Sequence, residues 1–205
     1  MAVGKHGVAA AGALALVLAL AGCDGGSGTG AKGGESPGAT ATGSPGGAGG
    51  ERTTYRLGEE SPEVESTMQA SSGARFTLTP TRVRTGTEAD MKASGLEEDG
   101  KKGPQIPVHV WTKITHKSGK PMKVGDMDDD LVVRTDEGTR TRALIVLLGE
   151  AKWTGCPAPD TEKELGPGQS QEICTTFLIP ADQKAAAVEM TRGFYKEPLE
   201  WPAAG

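Results

Sequence analysis

Ile106-Pro-Val-His-Val-Trp-Thr-Lys-Ile114 alternates apolar and other residues with a period of two. That period suits a strand with two different faces and conflicts with a helix, whose side chains repeat every ~3.6 residues. It puts Ile106, Val108, Val110 and Ile114 on one face and His109, Trp111 and Lys113 on the other. Ser118-Gly-Lys-Pro121 then turns the chain.

The pattern recurs along the second half. Phe76-Thr-Leu-Thr-Pro-Thr-Arg-Val83 alternates, and Pro80 within it marks an edge strand or a bulge. Leu131-Val-Val133 is short and runs into the turn signal Asp136-Glu-Gly138. The apolar run Ala143 to Leu148 suits a buried strand, with a buried helix as the rival reading. Leu165-Gly-Pro-Gly168 is another turn. Glu172 to Ile179 and Ala186 to Tyr195 follow as strands, the second with Ala186, Val188 and Met190 in phase. About six or seven short strands and no clear amphipathic helix predict an all-β sandwich or barrel.

Strand signals begin only at Thr53. Residues 1–22 have the build of an export signal: Lys5 and His6, then an unbroken apolar run from Val8 to Leu20. A membrane span needs about 20 apolar residues, and the run from Gly7 to Gly22 falls short of that. Leu20-Ala-Gly-Cys23 resembles the bacterial lipobox. The resemblance implies cleavage before Cys23 and a diacylglyceryl group on its sulfur, so the expected partner is a membrane held through that lipid. Two acyl chains give the stable anchoring that one chain does not. The Ala/Gly/Thr-rich composition resembles that of a high-GC actinobacterium.

Asp24 to Gly50 is mostly Gly, Ser, Thr, Ala and Pro, with no large apolar residue. Such a segment cannot offset the entropy of ordering and reads as a disordered tether, with a reach of roughly 30 Å. It explains why glycine totals 31 of 205 residues and why aromatics are only 4%. The expected organisation is therefore a signal peptide (1–22), a lipidated tether (23–52) and one β domain (53–205).

With Cys23 assigned to lipid, Cys156 and Cys174 remain of the three cysteines. An even remainder in an exported chain reads as a disulfide. Free thiols and zinc are the rival readings; the lack of further cysteines or paired histidines argues against zinc.

Tyr55-Arg-Leu-Gly-Glu59, Phe76-Thr-Leu-Thr79, Val108 to the "SGKP" ending at Pro121, Leu131 to the "DEG" ending at Gly138, and Leu165-Gly-Pro-Gly leading to Phe177-Leu-Ile-Pro180 occur in that order. The series resembles the immunoprotective extracellular immunoglobulin-like family and covers about Thr53 to Trp201. It implies an immunoglobulin-like β-sandwich and offers no catalytic residue to carry over. The charged insert Glu88 to Gly103 and the segment Trp153 to Pro159 depart from a minimal version of that pattern.

Chemistry is sparse. Asp126, Asp128, Asp130 and Glu137 fall at positions 1, 3, 5 and 12 of an EF-hand-like loop, a weak calcium candidate. The glycine that loop needs at position 6 is replaced by Leu131. Gly-x-Ser-x-Gly, His-Glu-x-x-His and phosphate-loop motifs are missing, so no catalytic residue, cofactor or resident metal is expected. His109 and His116 fall on opposite faces and read as solvated strand or turn residues. The net charge of -5 and the shortness of basic spots such as Arg82 to Arg84 argue against nucleic acid. Trp111, Trp153, Trp201, Phe194 and Tyr195 are the large apolar anchors. Trp111, pointing away from Val108 and Val110, is the candidate for recognising a protein partner at the cell surface. A small-solute or metal-binding lipoprotein is the second reading, and a cell-wall enzyme the third.

Overall fold

A computed structural model describes residues 51–96, 103–126, 130–146 and 151–203. The expected signal peptide, Cys23 and nearly all of the expected tether lie outside the described residues. The described chain runs β1 (Val64–Glu65), β2 (Arg75–Thr85), α1 (Glu88–Ala93), β3 (Gln105–Ser118), β4 (Met122–Lys123), a 3-10 turn (Val124–Asp126), β5 (Leu131–Thr135), β6 (Arg140–Arg142), β7 (Glu164–Leu165), β8 (Ser170–Pro180), β9 (Ala185–Met190) and β10 (Leu199–Pro202).

Two four-stranded sheets, β1-β2-β3-β8 and β10-β9-β5-β6, pair antiparallel throughout. Their inner faces meet in one apolar core that includes Leu78, Val108, Val110, Val133, Phe177 and Trp201. The domain is thus the expected all-β, immunoglobulin-like sandwich. A two-stranded piece, β4-β7, adds buried Met122 and Leu165 to the same core. Among the described residues no helix is long and apolar enough to cross a membrane.

Register follows from the alternation. On β3 and β8 the facing pairs Ile106–Ile179 and Val108–Phe177 point inward. The pairs in the alternate phase, His109–Thr176 and Trp111–Cys174, therefore share the outer face. The phase of β2 needs a correction midway. Phe76, Leu78 and Pro80 lie opposite His116, Ile114 and Thr112, but the register slips between Pro80 and Arg82. This is the bulge signalled by Pro80: one extra residue, Thr81, reverses the parity. Val83 packs against the core, and Arg82 and Arg84 land beside Trp111 and His109.

In the second sheet Val188 of β9 sits between Val133 of β5 and Trp201 of β10 on the inner side. On its outer side the nearly buried Glu189 carboxylate accepts from Arg134 and Arg140 at 2.6 and 2.7 Å, and Arg134 also reaches Glu200 at 2.8 Å. These pairs hold the Arg134 guanidinium's pKa above its ordinary value, first through Glu189.

Three expectations change. The apolar run Ala143 to Leu148 is no buried strand over the residues described. β6 ends at Arg142, Ala143 bridges to Phe177 of the other sheet, and Ile145 is 72% exposed. The chain is crossing between sheets there, so one pairing partner cannot hold the run; Leu147 and Leu148 lie outside the described residues. The charged insert contains α1, a helix too short for an apolar stripe. Thr87 caps it, with Thr87 Oγ1 accepting from Asp90 N and Asp90 Oδ2 accepting from Thr87 N. The strand from Ala185 stops at Met190, leaving Phe194 and Tyr195 in the loop before β10.

The turn after β3 demands glycine. Gly119 has φ +92°, and a Cβ there would meet the Gly73 carbonyl oxygen at 2.1 Å. Gly119→Ala is expected to destabilise the domain by at least about 2 kcal/mol in chemical denaturation; an unchanged midpoint would show that this approach of the two turns is not needed.

Candidate functional site

The outer face of β2-β3-β8 is the best candidate, because a sheet face that normally meets water is covered here. Two rows cross it. Arg82, Trp111 and Cys174 form one, and Arg84, His109 and Thr176 the other. The Arg82 guanidinium lies 3.6 Å from the Trp111 ring centroid, a cation–π contact. The segment from Ala151 to Thr161 lies over the rows. Its Trp153 ring sits 5.4 Å from that of His109, edge on, and Lys152 N donates to Ser94 O just beyond α1.

Cys156, from this covering segment, is bonded to Cys174 of β8, with Cα atoms 5.3 Å apart. The expected disulfide is present. Trp111, Trp153, Cys156 and Cys174 form a second small core separate from the inter-sheet one.

Trp111 was expected to be an exposed recognition anchor. It does leave the inner face as the alternation requires, but it is 8% exposed, closed in by Arg82, the disulfide and Trp153. Both histidines are buried too, although they do fall on opposite faces. His109 Nδ1 lies 3.0 Å from Thr176 Oγ1. Burial pushes its pKa below the ordinary 6.5, the Arg84 charge adds to this, and Asp90 opposes it. His116 Nε2 donates to Ser118 O at 2.8 Å. Sequence reasoning left both solvated because it had no sign of the covering segment or of where β3 is flanked on both sides.

One ligand atom each from His109, Cys156 and Cys174 falls within 4.8 Å of the others. The two sulfurs are bonded to each other, so neither is the thiolate a metal needs. The calcium candidates are not brought together. Asp130 and Glu137 flank opposite ends of β5, and Asp126 accepts from Ser71 Oγ, Asp130 from Thr191 Oγ1 and Glu137 from Gln183 Nε2. The strand in place of a glycine turn separates them; Asp128 lies outside the described residues.

Beside the disulfide is a pocket of about 680 Å³, walled by Leu144, Val146, Trp153, Pro157, Pro159 and the bridge itself. Among the described residues no carboxylate lines it, and His109 is sealed off behind it. A buried imidazole with a hydroxyl neighbour but no access to the pocket lacks the reach a general base requires. The fully exposed aromatics are elsewhere: Phe194 and Tyr195.

No known family and no curated protein matches the chain. Among solved structures it is similar to MPT63, a secreted protein from Mycobacterium tuberculosis, at 16% identity, over 73% of this chain and 95% of that one, with a TM-score of 0.45.

Two outcomes follow for this face. Cys156→Ser/Cys174→Ser should lower stability by roughly 3 kcal/mol, from the loop freed in the unfolded state; an unchanged denaturation midpoint would mean the cover holds without its bridge. Because folding lowers the His109 pKa below 6.5, its contribution is complete above 6.5 and is lost as pH falls through its lowered folded value. Melting temperature should drop as pH is taken below 6.5, and His109→Gln should flatten that slope; an equal slope in both proteins would refute the assignment.

Proposed function

We propose that this chain is an exported lipoprotein, held to the outer face of a cell membrane by acyl chains on Cys23. Its β-sandwich serves as a non-enzymatic interaction module outside the membrane or within the cell wall. The observation that carries this reading is the cysteine pairing. Cys156 and Cys174 close on each other, as suits an oxidising compartment. Cys23 is then the one cysteine left over, at the end of the apolar run and inside Leu20-Ala-Gly-Cys23.

Among the described residues the pocket offers Lys152 and threonine hydroxyls with no carboxylate or imidazole beside them, so it lends no support to an enzymatic reading. The order of the "SGKP", "DEG" and "LGPG" turns, now placed after β3, after β5 and before β8, is the order that resembles extracellular immunoglobulin-like domains. Its charge of -5 and lack of a basic stripe give it no electrostatic reason to bind nucleic acid. A second reading, capture of a small solute, is favoured by the volume of the pocket beside the disulfide and by its mixed lining, apolar side chains together with Lys152 and Thr161.

The mass of the protein recovered from membranes of the producing cell tests the anchor. The chain should begin at Cys23 and carry a diacylglyceryl thioether, and Cys23→Ser should remain uncleaved and unacylated. A mature chain starting elsewhere, or one with a free Cys23 thiol, would rule the lipoprotein reading out.

A further inference from the structure

We infer that the loop joining β9 to β10, residues 191–198, is a second membrane contact, with Phe194 and Tyr195 lying in the interface of the bilayer that holds Cys23. The inference rests on the lipoprotein reading above. Tyr55, Phe76, Trp111, Phe177 and Trp201 are all buried. Phe194 and Tyr195 stand fully in water, although each carries a ring able to bury some 150–250 Å².

Their exposure is not a frayed end. Thr191 N donates to Asp130 O at 2.9 Å. Arg192 Nε and Nη2 both donate to Glu197 O, at 2.9 and 2.7 Å, and close the base of the loop. Gly193 then takes φ +78°, and the two rings project beyond it next to the exposed Lys196. A phenyl ring, a phenol and a lysine in succession are what the water–lipid boundary accepts. The rings enter the headgroup layer while the hydroxyl and ammonium stay wet.

The position of the chain's entrance selects lipid over other occupants. Arg192 Nη1 also pairs with Glu51 at 2.6 Å, so the chain joins the domain at the base of this loop. Only the 27 residues Asp24 to Gly50 separate Glu51 from Cys23. For a Gly/Ser-rich chain that is a reach of roughly 30 Å. Anchoring holds the bilayer at a local concentration of about the millimolar range, so a two-ring contact that free protein makes only at comparably high lipid forms here throughout. The contact would lay this end of the sandwich on the membrane and turn the rest of the domain outward.

The test uses the mature chain from residue 23 carrying Cys23→Ser, which retains all of the described core. It is sedimented with vesicles of phosphatidylcholine and a minor share of phosphatidylglycerol. Phe194→Ser/Tyr195→Ser should reduce partitioning by at least about tenfold and leave the melting temperature unchanged, since neither ring is packed. Wild-type protein that stays in the supernatant at high lipid, or a double variant that partitions equally, would overturn the inference. So would a dimer, or binding to isolated cell-wall glycan, that replaces vesicle binding and is lost in the variant. Because this chain has no acyl group, the result is separable from the mass measurement. Acylated Cys23 without vesicle binding faults the loop; vesicle binding with a free Cys23 in cells faults the anchor.

Discussion

β3 is the strand on which the rest of the domain depends. Along its 14 residues it pairs with β2 on one side and β8 on the other. A strand in that position has two faces and no free edge. Its inner side chains supply the middle of the inter-sheet core, and its outer ones fix what can cover the sheet. His109 and Trp111 are on that outer face because Val108 and Val110 are inside. Their neighbours follow from register alone: Thr176 and Cys174 on β8, Arg84 and Arg82 on β2.

The bulge at Pro80 makes the arrangement possible. Without the extra residue the parity set by Phe76 and Leu78 would continue, and Arg82 and Arg84 would point into the apolar core. Burying two unpaired guanidinium groups there would cost far more than one lost ladder bond. With it, Arg82 stacks on Trp111 and Arg84 helps keep His109 neutral. The disulfide then secures a lid for these groups. Cys174 is fixed by β8, so bonding Cys156 to it holds Trp153 over His109. The second sheet meets the same problem with charge: Glu189, nearly buried between β5 and β10, is neutralised by Arg134 and Arg140.

The domain thus commits His109, Cys156, Cys174 and Trp111 to internal cover. That is the physical ground for looking for function at its ends and attachments. The 191–198 loop and the point where the chain enters at Glu51 are one structural unit, joined through Arg192. A lipid on Cys23 and aromatic rings at this loop would act in sequence, the first raising the concentration at which the second binds.

Local pattern alone determined the longer strands β2, β3, β5, β8 and β9 and the turns that follow or precede them; the short strands β1, β4, β7 and β10 carry too few residues to show a period. Period-two alternation at Ile106 to Ile114, the glycine turns at Gly119, Gly138 and Gly168, and a proline inside an alternating strand are signals carried by neighbouring residues. The physics they reflect is also local. Cysteine arithmetic paired Cys156 with Cys174 for the same reason: only counting is needed once a compartment is assumed. Tertiary structure decided exposure. Whether Trp111 meets solvent depends on a segment some 40 residues away in the chain, held there by a bond to a third strand. Whether Ala143 to Val146 forms a buried strand depends on which sheet it borders. Whether Phe194 and Tyr195 join the core depends on where β9 ends against Leu199. An aromatic residue carries the same hydrophobic signal in all three settings, and only the partners that the fold brings to it determine which side of the surface it occupies.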